Sequence, residues 1–181
     1  MYDKQQLACA IGRIKAFAFD VDGILTDDGI YAIEGDLLRR YDAKDCMALR
    51  MAAMKGYPLA IITGGISKII EQRFVGHCGF KEGDVYLRSR NKMEQLDDFC
   101  AKYGLSYDQV LYCGDDLPDL GPIRAAGIGA CPSDAVQEVL EAADYTPDIK
   151  GGHSFVRHIV EMVMRSQGTW ALDVDQYKRE Y

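Results

Sequence analysis

The sequence predicts an α/β fold, a doubly wound parallel sheet of the Rossmann-like kind, and three observations lead there. Short, almost wholly apolar runs recur along the chain and stop abruptly in glycine and carboxylate residues. Segments with apolar residues at helical spacing fall between them, and the links are short. Nearly continuous apolar runs are what strands buried on both faces require, as in a parallel sheet. Alternating such strands with helices through short links implies right-handed βαβ units.

Taken in order, residues 1–12 read as a short amphipathic lead-in helix. Lys15-Ala16-Phe17-Ala18-Phe19 is the first strand, ended by Asp20-Val21-Asp22-Gly23. Gly29–Ile33 and Leu37–Tyr41 flank Glu34-Gly35-Asp36 and predict a β-hairpin over 29–42 with a three-residue turn containing glycine. Residues 45–55 carry apolar side chains at 47, 48, 49, 51, 52 and 54, a helical pattern. Leu59-Ala60-Ile61-Ile62 is a second buried strand, closing in Thr63-Gly64-Gly65, and Val110-Leu111-Tyr112-Cys113 a third, closing in Gly114-Asp115-Asp116. Helical spacing recurs over 66–75, 91–103, 118–126, 133–142 and 153–166, while 127–131 and the brief 143–146 complete the strands. The tail, 167–181, mixes Trp170, Tyr177 and Tyr181 with charges and shows no period. No linker, repeat or low-complexity stretch interrupts the chain, so residues 1–181 are expected to form one domain.

Composition excludes several functions. The 181 residues are 48% apolar and 27% charged, enough to build a core. Lys and Arg number 21 against 28 Asp and Glu, a net charge of −7, which argues against a nucleic-acid or anionic-membrane binder. No apolar run approaches the roughly 20 residues that span a bilayer. The N-terminus lacks a basic-then-apolar leader, so a cytoplasmic protein is expected. Six cysteines are scattered without a C-x-x-C pair, mostly in apolar stretches, and are read as reduced small hydrophobes rather than a disulfide framework.

In an open parallel sheet, ligands bind beyond the carboxyl ends of the strands. Those ends carry Asp20, Asp22, Thr63, Asp115 and Asp116. Four carboxylates in one place repel one another, and a hard divalent cation such as Mg²⁺ resolves the repulsion. Mg²⁺ held by few protein ligands commonly meets a phosphate, so an acidic protein can bind an anionic substrate through the metal. One carboxylate of the Asp20-x-Asp22 pair can attack phosphorus, and the other can protonate the leaving alkoxide and then activate water. Lys92, following Asn91 at a helix start, can neutralise a phosphoryl oxygen and the nucleophile. Thr63 sits at a turn where its hydroxyl and nearby N–H groups can hold phosphate.

These residues also carry a resemblance. Asp20-Val21-Asp22-Gly23-Ile24-Leu25-Thr26-Asp27 resembles the first motif of the haloacid dehalogenase superfamily, D-x-D-G-[TVI]-[LM]-[TS]-D. Ile62-Thr63-Gly64 is similar to its second motif, Lys92 to its third, and Gly114-Asp115-Asp116-x-x-Asp119 to its fourth. The resemblance implies Asp20 as nucleophile, Asp22 as acid/base, and phosphate binding by Thr63, Gly64, Gly65, Asn91 and Lys92. It further implies Mg²⁺ on Asp20, the Asp22 main-chain carbonyl and Asp115, supported by Asp116 or Asp119.

Over residues 14–165 the chain is similar to one subgroup, the 3-deoxy-D-manno-octulosonate (KDO) 8-phosphate phosphatases and their nine-carbon sialic-acid-type relatives. Asp27-Asp28-Gly29-x-Tyr31, Asn91-Lys92, Gly114–Asp119 and Gly151-Gly152-His153-Ser154-Phe155-Val156-Arg157 carry that likeness. It implies no cap domain, a homotetramer whose hairpins help complete neighbouring sites, and a place in lipopolysaccharide precursor synthesis. Spacing agrees on the cap: 40 residues separate Asp22 from Thr63 and 28 separate Thr63 from Lys92, and predicted elements already fill both gaps. Substrate contacts depart from the subgroup. The position after Thr63-Gly64 is Gly65 rather than the Arg common in octulosonate enzymes or the Glu of nine-carbon ones. Lys44, Arg88, Arg90, His153 and Arg157 are the candidates to meet a sugar acid's carboxylate. KDO 8-phosphate is the leading substrate and the nine-carbon acid 9-phosphates the alternative. A non-hydrolytic phosphoacceptor is disfavoured by Asp22, and a mutase by the missing cap.

Overall fold

The computed structural model describes residues 1–34 and 36–180. Five parallel strands form the central sheet: β1 (Ala16–Phe19), β4 (Leu59–Ile62), β5 (Val85–Tyr86), β6 (Val110–Cys113) and β7 (Ile128–Ala130). Their spatial order is β5-β4-β1-β6-β7. The chain therefore winds outward one way from β1 through β4 and β5, then returns to build β6 and β7 on the other side. The reversal lies between β1 and β6, and in doubly wound sheets such a switch point is where the crevice opens.

The period of two along each strand divides the core. Phe17 and Phe19 enter one apolar layer with Leu49, Phe74, Phe155 and Val160. Ala16 and Ala18 face the other, with Tyr112, Phe99, Ile123 and Val139. The first layer is built from α2 (Ala43–Met54), α3 (Lys68–Cys78) and α7 (Phe155–Ser166), and the second from α4 (Lys92–Tyr103), α5 (Leu120–Ala125) and α6 (Gln137–Ala142). Each buried phenylalanine contributes about 1.5–3 kcal/mol from area removed from water. Local signals set the helix ends: Asp42 and Ser67 accept from backbone N–H groups at the starts of α2 and α3, and Gly79 and Gly104 close α3 and α4 in the left-handed region.

β2 (Thr26–Ile33) and β3 (Asp36–Tyr41) form a separate antiparallel hairpin directly after β1, with no cap among the described residues. It begins three residues earlier than the pattern predicts. Ile33 pairs with Asp36, so Asp36 belongs to β3 rather than to the turn; Gly35, the turn glycine, lies outside the described residues. Ala143–Thr146 is not a strand: Tyr145 makes a single parallel bridge to Ala130. β5, only two residues long, is too short to leave a periodic trace.

The lead-in helix is α1 (Lys4–Ile11), started by a capping box at Asp3. In the tail, Trp170 lies beneath the guanidinium groups of Arg157 and Arg165, and α8 (Val174–Glu180) follows, a helix the aperiodic sequence did not predict; Tyr181 lies outside the described residues. All six cysteines are free, and Cys46 on α2 approaches Cys78 on α3 with sulfurs 2.7 Å apart. No helix among the described residues is long and apolar enough to cross a membrane.

Candidate active site

The site lies where β1 and β6 end, on either side of the switch point. Asp20 extends the pairing one residue past β1, its N–H donating to the Cys113 carbonyl at 2.9 Å. The strand then turns away at Gly23, which has φ +74°, and the Asp20 carboxylate accepts from the Val21 N–H at 2.7 Å. Lys92, the first residue of α4, reaches in from the opposite layer. Its buried ammonium donates to Asp20 at 2.5 Å and to Asp119 at 2.7 Å. Asp119, wholly buried after β6, also accepts from the Tyr112 hydroxyl at 2.6 Å and from the N–H groups of Asp115 and Asp116 at 3.3 and 3.4 Å.

One oxygen from each of Asp20, Asp115 and Asp119 lies within 4.8 Å of the others. Three carboxylates against one lysine leave an excess of two negative charges when all are ionised, which matches a divalent cation. Burial acts first on these groups. It raises Asp115 to about 8, helped by the charges of Asp20 and Asp119, and raises Asp20 to about 7, helped by Asp119 and opposed by Lys92. For Lys92, burial favours the neutral amine, but the charges of Asp20 and Asp119 outweigh it and raise its pKa. Asp115 Oδ1 is buried without a hydrogen-bond partner among the described residues. A buried carboxylate oxygen with no donor is costly unless a cation serves it. The donor set, hard oxygens only, suits Mg²⁺. Glycine makes the approach possible: a Cβ on Gly23 would lie 2.0 Å from Asp115 Oδ2, and one on Gly114 2.3 Å from Asp119.

Asp22 is directed elsewhere. Its two carboxylate oxygens accept from Arg39 Nε at 2.6 Å and Nη2 at 3.0 Å, a two-pronged ion pair with the hairpin. Thr63, buried past β4, accepts from the Gly65 N–H through its hydroxyl at 3.0 Å. Its backbone is tied to the next loop by Thr63 N–H to the Tyr86 carbonyl and Ser89 N–H to the Thr63 carbonyl, at 3.0 and 2.9 Å. Gly64 is exposed at this turn, and the Asn91 side chain turns back to Glu94 at 2.8 Å. Asp116 is exposed and caps the Leu117 N–H, so Asp119, not Asp116, completes the carboxylate cluster.

The five candidates for a substrate carboxylate are spread out. Arg88 and Arg90 are exposed on the loop beside Thr63, where the Arg88 N–H donates to the Gly65 carbonyl at 2.9 Å. His153 is exposed, its Nδ1 2.7 Å from the Gly151 carbonyl; its loop is fixed to the first-motif turn by Gly152 N–H to the Ile24 carbonyl at 3.0 Å. Lys44 is exposed in the first turn of α2. Arg157 is engaged by Glu161 at 2.7 Å and by the Trp170 ring at 4.8 Å. Sequence reasoning missed Arg39. Arg39 shares the strand face of Tyr41, whose ring packs edge-on to Phe74 in the core at 5.8 Å, so both side chains turn inward, a placement that no local pattern signals.

A haloacid dehalogenase-like hydrolase family model matches residues 66–150. The 3-deoxy-D-manno-octulosonate 8-phosphate phosphatase of Salmonella typhi is 31% identical over 157 residues, covering 86% of this chain and 82% of that protein. The solved structure of the phosphatase of the same name from Moraxella catarrhalis, in complex with magnesium ion, phosphate ion and KDO, has a TM-score of 0.86 and 30% identity, covering 93% of this chain and 95% of that one. A putative haloacid dehalogenase superfamily (subfamily III A) hydrolase from Legionella pneumophila has a TM-score of 0.90 at 29% identity, with 97% and 96% covered.

Proposed function

Because the chain belongs to the haloacid dehalogenase-like hydrolases, in the family of the 3-deoxy-D-manno-octulosonate 8-phosphate phosphatases, we propose that it is a Mg²⁺-dependent phosphatase of a sugar-acid phosphate, with KDO 8-phosphate as substrate. The observation that carries this reading is the carboxylate cluster at the switch point, three aspartates of which the buried Lys92 bridges Asp20 and Asp119, with Asp115 Oδ1 left without a donor among the described residues. Asp20, Asp115 and the Asp22 carbonyl would hold Mg²⁺, with Asp119 behind them. When bound, the metal supplies charge neutralisation at the phosphoryl oxygens.

The chain's own residues do the rest. Asp20 attacks phosphorus; its new O–P bond forms as the P–O bond to the sugar breaks, giving an aspartyl-phosphate. Asp22 delivers its proton to the departing sugar oxygen. Water then attacks the phosphoryl group, surrenders a proton to Asp22, and releases phosphate with Asp20 restored. Lys92 spreads the charge on the nucleophile, and Thr63 with the N–H groups of Gly64 and Gly65 holds the phosphoryl oxygens. Arg88, Arg90 and His153, on loops tied to the Thr63 and Gly23 turns, would meet the rest of the substrate.

The protein is further proposed to be a homotetramer. Its hairpin exposes Ile30 at 47%, Tyr31 at 66%, Ile33 at 46% and Leu38 at 50%, apolar surface that a neighbouring subunit would cover. The testing experiment is phosphate release from KDO 8-phosphate, nine-carbon sugar-acid 9-phosphates and simple sugar phosphates, with and without Mg²⁺. KDO 8-phosphate should be preferred. Asp20→Asn should abolish release while the protein stays folded. Absence of turnover on every ester by folded wild type would refute the reading.

A further inference from the structure

Asp22 leaves β1 at a glycine turn, so no strand pairing orients its carboxylate. Among the described residues, its carboxylate accepts hydrogen bonds from Arg39 alone, one to each oxygen. Arg39 in turn has little freedom. It is paired with Ile30 across the hairpin, its side chain is only 4% exposed, and its guanidinium crosses to the Thr63 turn. There Nη2 lies 3.6 Å from where a Cβ on Gly65 would stand, an ordinary contact distance. Leu38 and Arg40, on the opposite strand face, are exposed. An outward-facing arm thus sends one cation inward, to the residue assigned proton transfer.

We propose that Arg39 is a positioning residue: its two-pronged hold aims the Asp22 carboxylate at the leaving oxygen, so the hairpin forms part of the catalytic apparatus. A planar guanidinium matches both oxygens of a carboxylate at once and fixes its plane as well as its distance, which an ammonium cannot do. Proton transfer demands such placement, since a donor off by a fraction of an ångström loses much of its effect. The inference rests on the phosphatase reading and adds to it a residue outside the four motifs.

The test exploits leaving-group chemistry. A sugar alkoxide needs a proton to depart, whereas p-nitrophenolate leaves with little help. Turnover of KDO 8-phosphate and ribose 5-phosphate is compared with that of p-nitrophenyl phosphate in wild type, Arg39→Gln and Arg39→Lys. In Arg39→Gln the ratio of alkyl to aryl kcat should fall about 10- to 100-fold, a part of the roughly 100- to 10,000-fold that general acid catalysis supplies. Arg39→Lys, with the charge but one donating nitrogen, should fall between; if the Gln variant does not fold, the Lys variant carries the test. In an Asp22→Asn background, adding Arg39→Gln should leave the ratio unchanged. A uniform loss on both ester classes, or full multiplication of the two mutational effects, would overturn the proposal. Wild type that hydrolyses no alkyl ester would instead refute the phosphatase reading beneath it.

Discussion

The proposed metal site makes stability depend on pH through Asp115. In the metal-free protein its carboxyl is pushed up to about 8, first by burial and then by the charges of Asp20 and Asp119. The unfolded chain returns it to an ordinary value near 4. Between those limits the folded form holds a proton the unfolded form has lost, so stability must fall as pH rises. The slope is about 1.4 kcal/mol per pH unit for one proton. From about pH 5 to about pH 8 it accumulates to roughly 3–4 kcal/mol, flattening as Asp115 ionises. Asp20, also raised chiefly by burial, adds to the fall below about pH 7.

Mg²⁺ bound to the ionised site, as proposed above, should offset most of that fall, returning about 2.7 kcal/mol at a hundredfold excess over its Kd. Urea unfolding at fixed pH, in chelator and in excess Mg²⁺, measures both effects. Asp115→Asn should flatten the chelator curve and remove most of the response to Mg²⁺. Wild-type stability that is level or rising across this window without metal would refute the argument.

Two further changes test other parts of the molecule. Gly23→Ala forces a side chain into the left-handed region, costing roughly 1–2 kcal/mol, and places its Cβ 2.0 Å from Asp115 Oδ2. It should lower the Tm and weaken Mg²⁺ binding more than tenfold by calorimetric titration; unchanged Mg²⁺ affinity would show that the Gly23 turn does not shape the cluster. Tyr31 and Leu38 face each other across the hairpin, and replacing both by Asp should split the proposed tetramer in sedimentation velocity while the sheet stays folded. Wild type sedimenting as a monomer at micromolar concentration would remove the premise.

Several features were legible in the linear pattern because local chemistry dictates them. The strands β1, β4 and β6 are apolar on both faces and end in the residues proposed to do chemistry, so both their extent and their polar ends appear in the chain itself. Asp20, Asp115 and Lys92 follow from those endings and from the helix start at 92. The roles of Asp116 and Asp119 did not. Both are near β6, and only the packed turn shows that Asp119 is enclosed by Lys92, Tyr112 and two backbone N–H groups while Asp116 caps Leu117 in solvent. The helical tail was hidden too, since α8 lacks the apolar period that marks a helix packed on a core.

Arg39 marks the division most clearly. By itself the sequence determined a parallel α/β sheet, a hairpin after the first strand and carboxylates gathered at strand ends, because periodicity and abrupt polar termini are properties of neighbouring residues. Tertiary structure alone decided that one hairpin arginine reaches Asp22, 17 residues earlier. That contact depends on the direction of the hairpin and on how it packs over the Thr63 turn, and neither is encoded in any short stretch of chain.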